Sequence, residues 1–128
     1  MIRDTISVSF PAQKPYTLLL RMFIAGAAAS YDLPVDMLED LRMAAEEAYD
    51  CLLSGEIKED TQLICDMYRT DDHCVTVYMR LSSRNGSPMQ NQESELVYAI
   101  LGTLMNDVML FSDSKGIFGI RMMLRAEK

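Results

Sequence analysis

Apolar and polar positions alternate at the start of the chain. Ile6, Val8 and Phe10 stand against Thr5, Ser7 and Ser9, the period of a half-buried strand, and Pro11 and Pro15 end it because proline cannot donate to a ladder. From Tyr16 to about Tyr31 the period changes to that of a helix. Leu18, Leu19, Met22, Phe23, Ala25, Gly26 and Ala29 fill a broad apolar face, which predicts a well-buried first helix whose glycine and alanines admit a second backbone. A second helix is expected after Pro34, with Asp36, Glu39 and Asp40 at its positive dipole end, and Met37, Leu41, Ala44, Ala48 and Leu52 facing inward. It should stop near Gly55.

Thr61–Arg69 and Cys74–Leu81 carry strand patterning around a turn at Thr70–His73, which predicts an antiparallel pair. After a polar stretch from Ser82 to Ser94, the residues Leu96, Ile100, Leu101, Leu104, Met105 and Val108 recur at helical spacing. Val108–Phe111, a turn at Ser112–Lys115, and Ile117–Leu124 then read as a second hairpin. The order strand, helix, helix, strand, strand, helix, strand, strand (βααββαββ) predicts an α+β fold built as a two-layer α/β sandwich. No repeat or linker breaks the chain, so residues 1–128 are expected to form a single domain.

Composition narrows the function classes. The longest apolar stretch, Met22–Ala29, is far shorter than the roughly 20 residues a bilayer requires, and the N-terminus lacks the apolar block of a signal peptide. A cytoplasmic protein without a membrane partner is the expectation. A net charge of −7 would repel a phosphate backbone, which argues against direct nucleic-acid binding. Cys51, Cys65 and Cys74 are odd in number and lack CxxC spacing, so they read as buried reduced thiols rather than a disulfide frame or zinc site. The sole histidine, His73, lies in a turn beside two aspartates, and no Ser-His-Asp or Cys-His set exists around it. Most of the eleven methionines are expected in the core, with Met105, Met109, Met122 and Met123 as candidates for a plastic surface.

Three segments carry a family resemblance. Leu20-Arg21-Met22-Phe23-Ile24-Ala25-Gly26 looks like the first-helix segment of the general-stress and sporulation anti-sigma kinases, and Glu39 through Ala48 looks like their second helix, where an acidic pair and a leucine lead to the catalytic-box glutamate. Thr103-Leu104-Met105-Asn106-Asp107-Val108 resembles the end of their third helix, and Gly116 their final hairpin turn. The whole chain thus resembles the anti-sigma-factor, serine-protein-kinase branch of the GHKL superfamily, whose domain is the histidine kinase-like ATPase or Bergerat fold.

That resemblance implies where ATP and Mg²⁺ would bind and what has been lost. Glu47 falls at the position of the family base, but Cys51 stands where an asparagine holds the metal, and a thiol is a poor donor for magnesium. Nothing from Cys74 to Ile100 is an aspartate, so the adenine-reading carboxylate is missing. Glu95, Leu96 and Val97 take the place of the phosphate-cradling glycines, and Gly86 is the only glycine between Gly55 and Gly102. The expectation is a degenerate ATP site with no cofactor. What remains is an anti-sigma-like regulator, commonly a homodimer, that holds a sigma factor or an anti-anti-sigma antagonist through its first-helix face and a sheet edge, with Arg21 at a family partner-contact position.

Other readings of the same residues remain open. An active ATP-dependent serine kinase would keep Glu47 as base and recruit Asp50 or Glu46 for the metal. Glu47, Glu39 and Asp40 also read as solvated helix carboxylates, Arg21 as a cation at the edge of an apolar face, and the whole chain as a dimerisation module of another pathway.

Overall fold

A computed structural model of the chain describes residues 2–54, 57–71, 73–83, 91–114 and 116–126, with the backbone alone for 91–94. β1 (Arg3–Pro11) opens the chain, followed by a 3₁₀ turn, α1 (Thr17–Ser30) and α2 (Val35–Leu52). β2 (Gln62–Asp71) and β3 (Cys74–Leu81) form a hairpin, and α3 (Asn91–Leu104) leads into the hairpin of β4 (Asp107–Asp113) and β5 (Gly116–Arg125). The five strands make one sheet in the order β1-β2-β3-β5-β4, every neighbouring pair antiparallel.

Alternation along the strands separates two faces. Leu63, Cys65 and Met67 of β2, Val75, Val77 and Met79 of β3, and Ile120, Met122 and Leu124 of β5 point into the core, where the helices cover them. α2 is the central helix: it lies on β3 and β5 and packs against α1 on one side and α3 on the other. Its core residues Met37, Leu41, Ala44, Ala45, Ala48, Tyr49 and Leu52 return every three or four positions, which is why this segment settles as a helix with one dry face. The opposite sheet face carries Ser7, Asp66, Tyr78, Arg80, Phe111 and Arg121, partly exposed, and there Tyr78 meets Phe111 edge to face at 5.6 Å.

The edge at β1 is blunted at its start. Asp4 adopts a left-handed backbone (φ 57°) at a register shift against β2, and its carboxylate pairs with Arg69 at 2.6 Å. The hydroxyl of buried Tyr31 at the end of α1 donates to the Met67 carbonyl (2.8 Å) and reaches that of Asp4, so β1, β2 and the first helix are tied at one point.

The structure decides one boundary that the spacing leaves double. The third helix ends at Leu104, and Val108, grouped with it on spacing, belongs to β4, where it pairs with Met122. Asn106 makes the break: its N–H donates to the Met123 carbonyl and its side-chain oxygen accepts the N–H of Arg125 at 2.7 Å, anchoring the segment to β5 instead of the helix. The expected stop at Gly55 lies outside the described residues; α2 ends at Leu52, with the Ser54 hydroxyl donating to the Cys51 carbonyl. Cys51, Cys65 and Cys74 are buried thiols outside any disulfide, as expected.

Candidate functional site

α1 is where the sequence and the structure part most. Leu20, Ile24, Ala27 and Ala28 are buried, but the face expected to be well buried is largely the outer one: Leu18 is 61% exposed and Met22 62%, with Leu19, Gly26 and Ala29 also in the open. The reason is position. α1 packs chiefly on α2 at one margin of the helical layer, and among the described residues nothing buries Leu18 and Met22 on its other side. Leu18, Met22, Ala25 and Ala29 follow one another at four, three and four residues, so they form a single stripe on the solvent side. Only Thr17, Arg21 and Ser30 in the whole helix are polar, and a helix apolar all round is ordinarily an interior one.

Beside the stripe lies a chain of charges linking α1 to α2. The Arg21 guanidinium donates to Glu46 Oε1 at 2.7 Å, and Arg42 donates to Glu46 Oε2 at 2.7 Å and to Glu39 at 2.9 Å. Lys14, just before α1, pairs with Asp50 at 3.2 Å. The Arg21 hydrogen bond holds the Glu46 carboxyl below its ordinary range, against a partial burial that pushes it up and with Arg42 adding to the lowering. A lowered folded value means that Glu46 stabilises the fold above the ordinary carboxylate range and that the contribution disappears as pH falls through and below that range. Glu46→Gln should therefore cost about 0.5–1 kcal/mol at pH 7 in low salt and almost nothing at pH 3, as read from urea midpoints.

The opposite flank of α2 faces α3. Met37, Asp36 and Asp40 line an open cleft of about 560 Å³ with Thr103, Asn106 and Arg125, which places Asp40 on that side. Glu47 and Cys51 follow at seven and eleven residues, on the same flank. Glu47 is partly exposed and has no hydrogen-bond or ion-pair partner among the described residues. Cys51 is 8% exposed and sits in the core cluster. Of the two phosphate-cradle positions, Glu95 is exposed and Val97 is buried, its branched side chain packed into the core where a close approach of phosphate to backbone would need no side chain. Neither described pocket includes Glu47, Cys51, Glu95 or Val97.

These residues do not fit Mg²⁺ and a nucleotide. At the positions the sequence resemblance would give the metal and phosphates stand a buried thiol, an exposed carboxylate and a packed valine, none of which is a hard oxygen donor with an open amide cradle beside it. Among the described residues no three His, Cys, Asp or Glu side chains gather as a metal site. Gly86 lies outside the described residues. Gly116 opens β5 with φ 121°, a backbone that a side chain would strain, so this glycine has a turn to make.

Three features escaped the sequence reading. One is the partnership of Arg21 with Glu46, residues 25 apart that only helix packing brings together. Another is Tyr49, whose hydroxyl bonds the Gln13 backbone ahead of α1. The exposure of Leu18 and Met22 was the one with a readable signal, the scarcity of polar residues in α1.

With this geometry, the chain is an α+β sandwich with an uncovered apolar helix at one margin, and no helix among the described residues is long and apolar enough to cross a membrane. No protein-family model matches it, and no curated protein does. Among solved structures its fold is similar to the crystal structure of the RsbU and RsbW domains of Rv1364c from Mycobacterium tuberculosis, with a TM-score of 0.68 and 11% identity over 98% of this chain. This chain spans 32% of that one, and at such identity the likeness is one of fold.

Proposed function

We propose that this chain is a regulator of the anti-sigma type, which holds a sigma factor or its anti-anti-sigma antagonist by contact and does not turn over ATP. The observation that carries this reading is the uncovered apolar face of α1 beside Arg21. It gains weight from the fold's likeness to a structure with an RsbW domain, RsbW being an anti-sigma factor of the GHKL kinase type. The element order, two helices before the first hairpin and one between the hairpins, supports a Bergerat-type assignment. A cytoplasmic location and a homodimer belong to the same proposal; the half-exposed outer sheet around Tyr78, Phe111 and Met109 is a surface that self-association would use.

The kinase alternative asks more of these residues. Glu46 already receives hydrogen bonds from two arginines and Asp50 pairs with Lys14, so recruiting either for magnesium breaks an ion pair. A site with ligand at a hundred times its dissociation constant adds about 2.7 kcal/mol, roughly 10 °C in melting temperature for a domain of this size. Millimolar Mg·ATP is expected to move the melting temperature by less than about 1 °C. A rise of several degrees, or label transferred from γ-³²P-ATP to a captured partner, would return the chain to the enzymes. Affinity capture from the native cell tests the partner: recovery of a sigma factor or of a small antagonist supports the proposal, and recovery of neither defeats it.

A further inference from the structure

We infer that a second copy of this chain, lying antiparallel, is the resting occupant of the α1 face. The spacing of the stripe selects it. Leu18, Met22, Ala25 and Ala29 are separated by four, three and four residues, an order that reads the same from either end, so two antiparallel α1 helices can meet stripe on stripe. In that register Leu18 lies opposite Ala29 of the second copy, and Met22 opposite Ala25. Size then fits. Leu18 and Met22, 61% and 62% exposed, are the large residues of the stripe and the two alanines its small ones, so each large side chain meets a small one on both sides of the two-fold axis. A parallel pair would set Leu18 on Leu18 and Ala29 on Ala29, overfilling one end and leaving the other hollow. Gly26, where an added Cβ would meet nothing within 4 Å, lowers the small end further and lets the second backbone approach.

Charge agrees with this occupant. The cations beside the stripe are paired within the chain, Lys14 with Asp50, Arg21 with Glu46, and Arg42 with Glu39 and Glu46. Balanced flanks do not repel a copy of themselves. Asp32, exposed in the turn after α1, has no ion pair among the described residues. The same register sets it level with the approach to α1 in the second copy, where the Lys14 side chain is 73% exposed and can divide its charge between Asp50 and Asp32. Symmetry makes that contact twice. One helix pair is smaller than the roughly 1,200–2,000 Å² that a stable specific interface buries, so the pairing is weak, with a dissociation constant on the order of 10–100 μM. The outer sheet around Tyr78 and Phe111 is a separate surface. A partner held on α1 has to displace the second copy, and that consequence alone rests on the regulator reading.

The test mixes full chains carrying Leu18→Cys with full chains carrying Ala29→Cys, at about 100 μM and under mild oxidation. Cys51, Cys65 and Cys74 are buried, which keeps the background low. A disulfide needs Cα atoms within about 7 Å, whereas the antiparallel register holds the two copies of position 18, and those of position 29, about 16 Å apart along the axis. The mixture should therefore give about tenfold more disulfide-linked dimer than either variant alone. Leu18→Glu, at an exposed site, should weaken self-association about tenfold or more in sedimentation velocity. Linkage of Leu18→Cys chains to one another, equal yields in all three samples, or a dimer that Leu18→Glu leaves unchanged overturns the inference. An excess of captured sigma factor or antagonist should cut the mixed cross-link about tenfold. If the cross-link persists beside bound partner, self-pairing stands and the partner leaves α1. If the cross-link never forms and affinity capture still recovers a sigma factor or antagonist, the regulator reading stands and self-pairing falls.

Discussion

Tyr49→Ala should lower the unfolding free energy by about 3–5 kcal/mol, enough to remove much of the 5–15 kcal/mol a domain of this kind possesses. Tyr49 is fully buried on α2 with its ring edge against Phe10 of β1, centroids 5.8 Å apart at 76°. Its hydroxyl donates to the Gln13 carbonyl and accepts the Gln13 N–H at 3.0 Å. The side chain therefore does two things: it fills core between the central helix and the first strand, and it satisfies the backbone of the segment that carries the chain from β1 into α1. Tyr49→Phe separates them. It keeps the ring and removes the hydroxyl from the Gln13 backbone, whose N–H also donates to the Pro11 carbonyl and whose carbonyl also accepts the Tyr16 N–H, so the expected cost is about 0.5–1.5 kcal/mol. Urea titrations followed by far-ultraviolet circular dichroism measure both, and equal losses for the two variants would show that packing against Phe10 counts for nothing. Burial also raises the Tyr49 phenol above its ordinary range. That contribution is complete below the ordinary tyrosine value and is lost as pH climbs through the folded one, so the wild type should weaken above pH 10 more steeply than Tyr49→Phe.

How far these matters could be read from residues depends on whether the determining contact is local. The core face of α2 was legible because Met37, Leu41, Ala44, Ala48 and Leu52 return at the helical period, and all five are buried. The strands were legible because Leu63, Cys65 and Met67 alternate with partly exposed neighbours in a sheet that helices cover on one face. At α1 the helical period points Leu18, Leu19, Met22, Phe23, Ala25, Gly26 and Ala29 inward, whereas the buried residues are Leu20, Ile24, Ala27 and Ala28. Leu18 and Met22 sit on the side of the helix opposite Leu20 and Ile24, and only the layer's margin, a property of the assembled fold, leaves that side open. Val108 reads both as the last residue at helical spacing and as the first of the next strand, because a β-branched residue three or four positions from Leu104 and Met105 satisfies either period; it lies in β4. At the nucleotide positions, the spacing of Glu47 and Cys51 placed them on one flank of α2. The burial of Cys51 was legible from residue type, but that Val97 fills core required the rotation of the helices, which long-range contacts set.

The surface consequence of that open side is the second large effect. Leu18→Ala combined with Met22→Ala should weaken capture of the protein partner by about 100-fold or more while changing stability by less than about 0.5 kcal/mol. The two halves of this expectation have one cause. Both side chains are more than 60% exposed in the free chain, so little folding free energy is stored in them, and alanine suits a helix at least as well. On docking they would pass from water into an apolar contact, where burying a leucine or methionine side chain contributes roughly 1.5–3 kcal/mol each. Two such losses give about 3–6 kcal/mol, beyond a factor of 100 in affinity. Arg21→Ala serves as the comparison, because it leaves the stripe intact and removes one ion pair with Glu46 and one candidate polar contact; it should cost no more than about tenfold. Surface plasmon resonance with the captured partner and a melting curve for each variant measure the two quantities separately. A double variant that binds within threefold of the wild type would show that partners do not use this side of α1, and one that unfolds several degrees lower would show that the stripe is covered within the free protein itself.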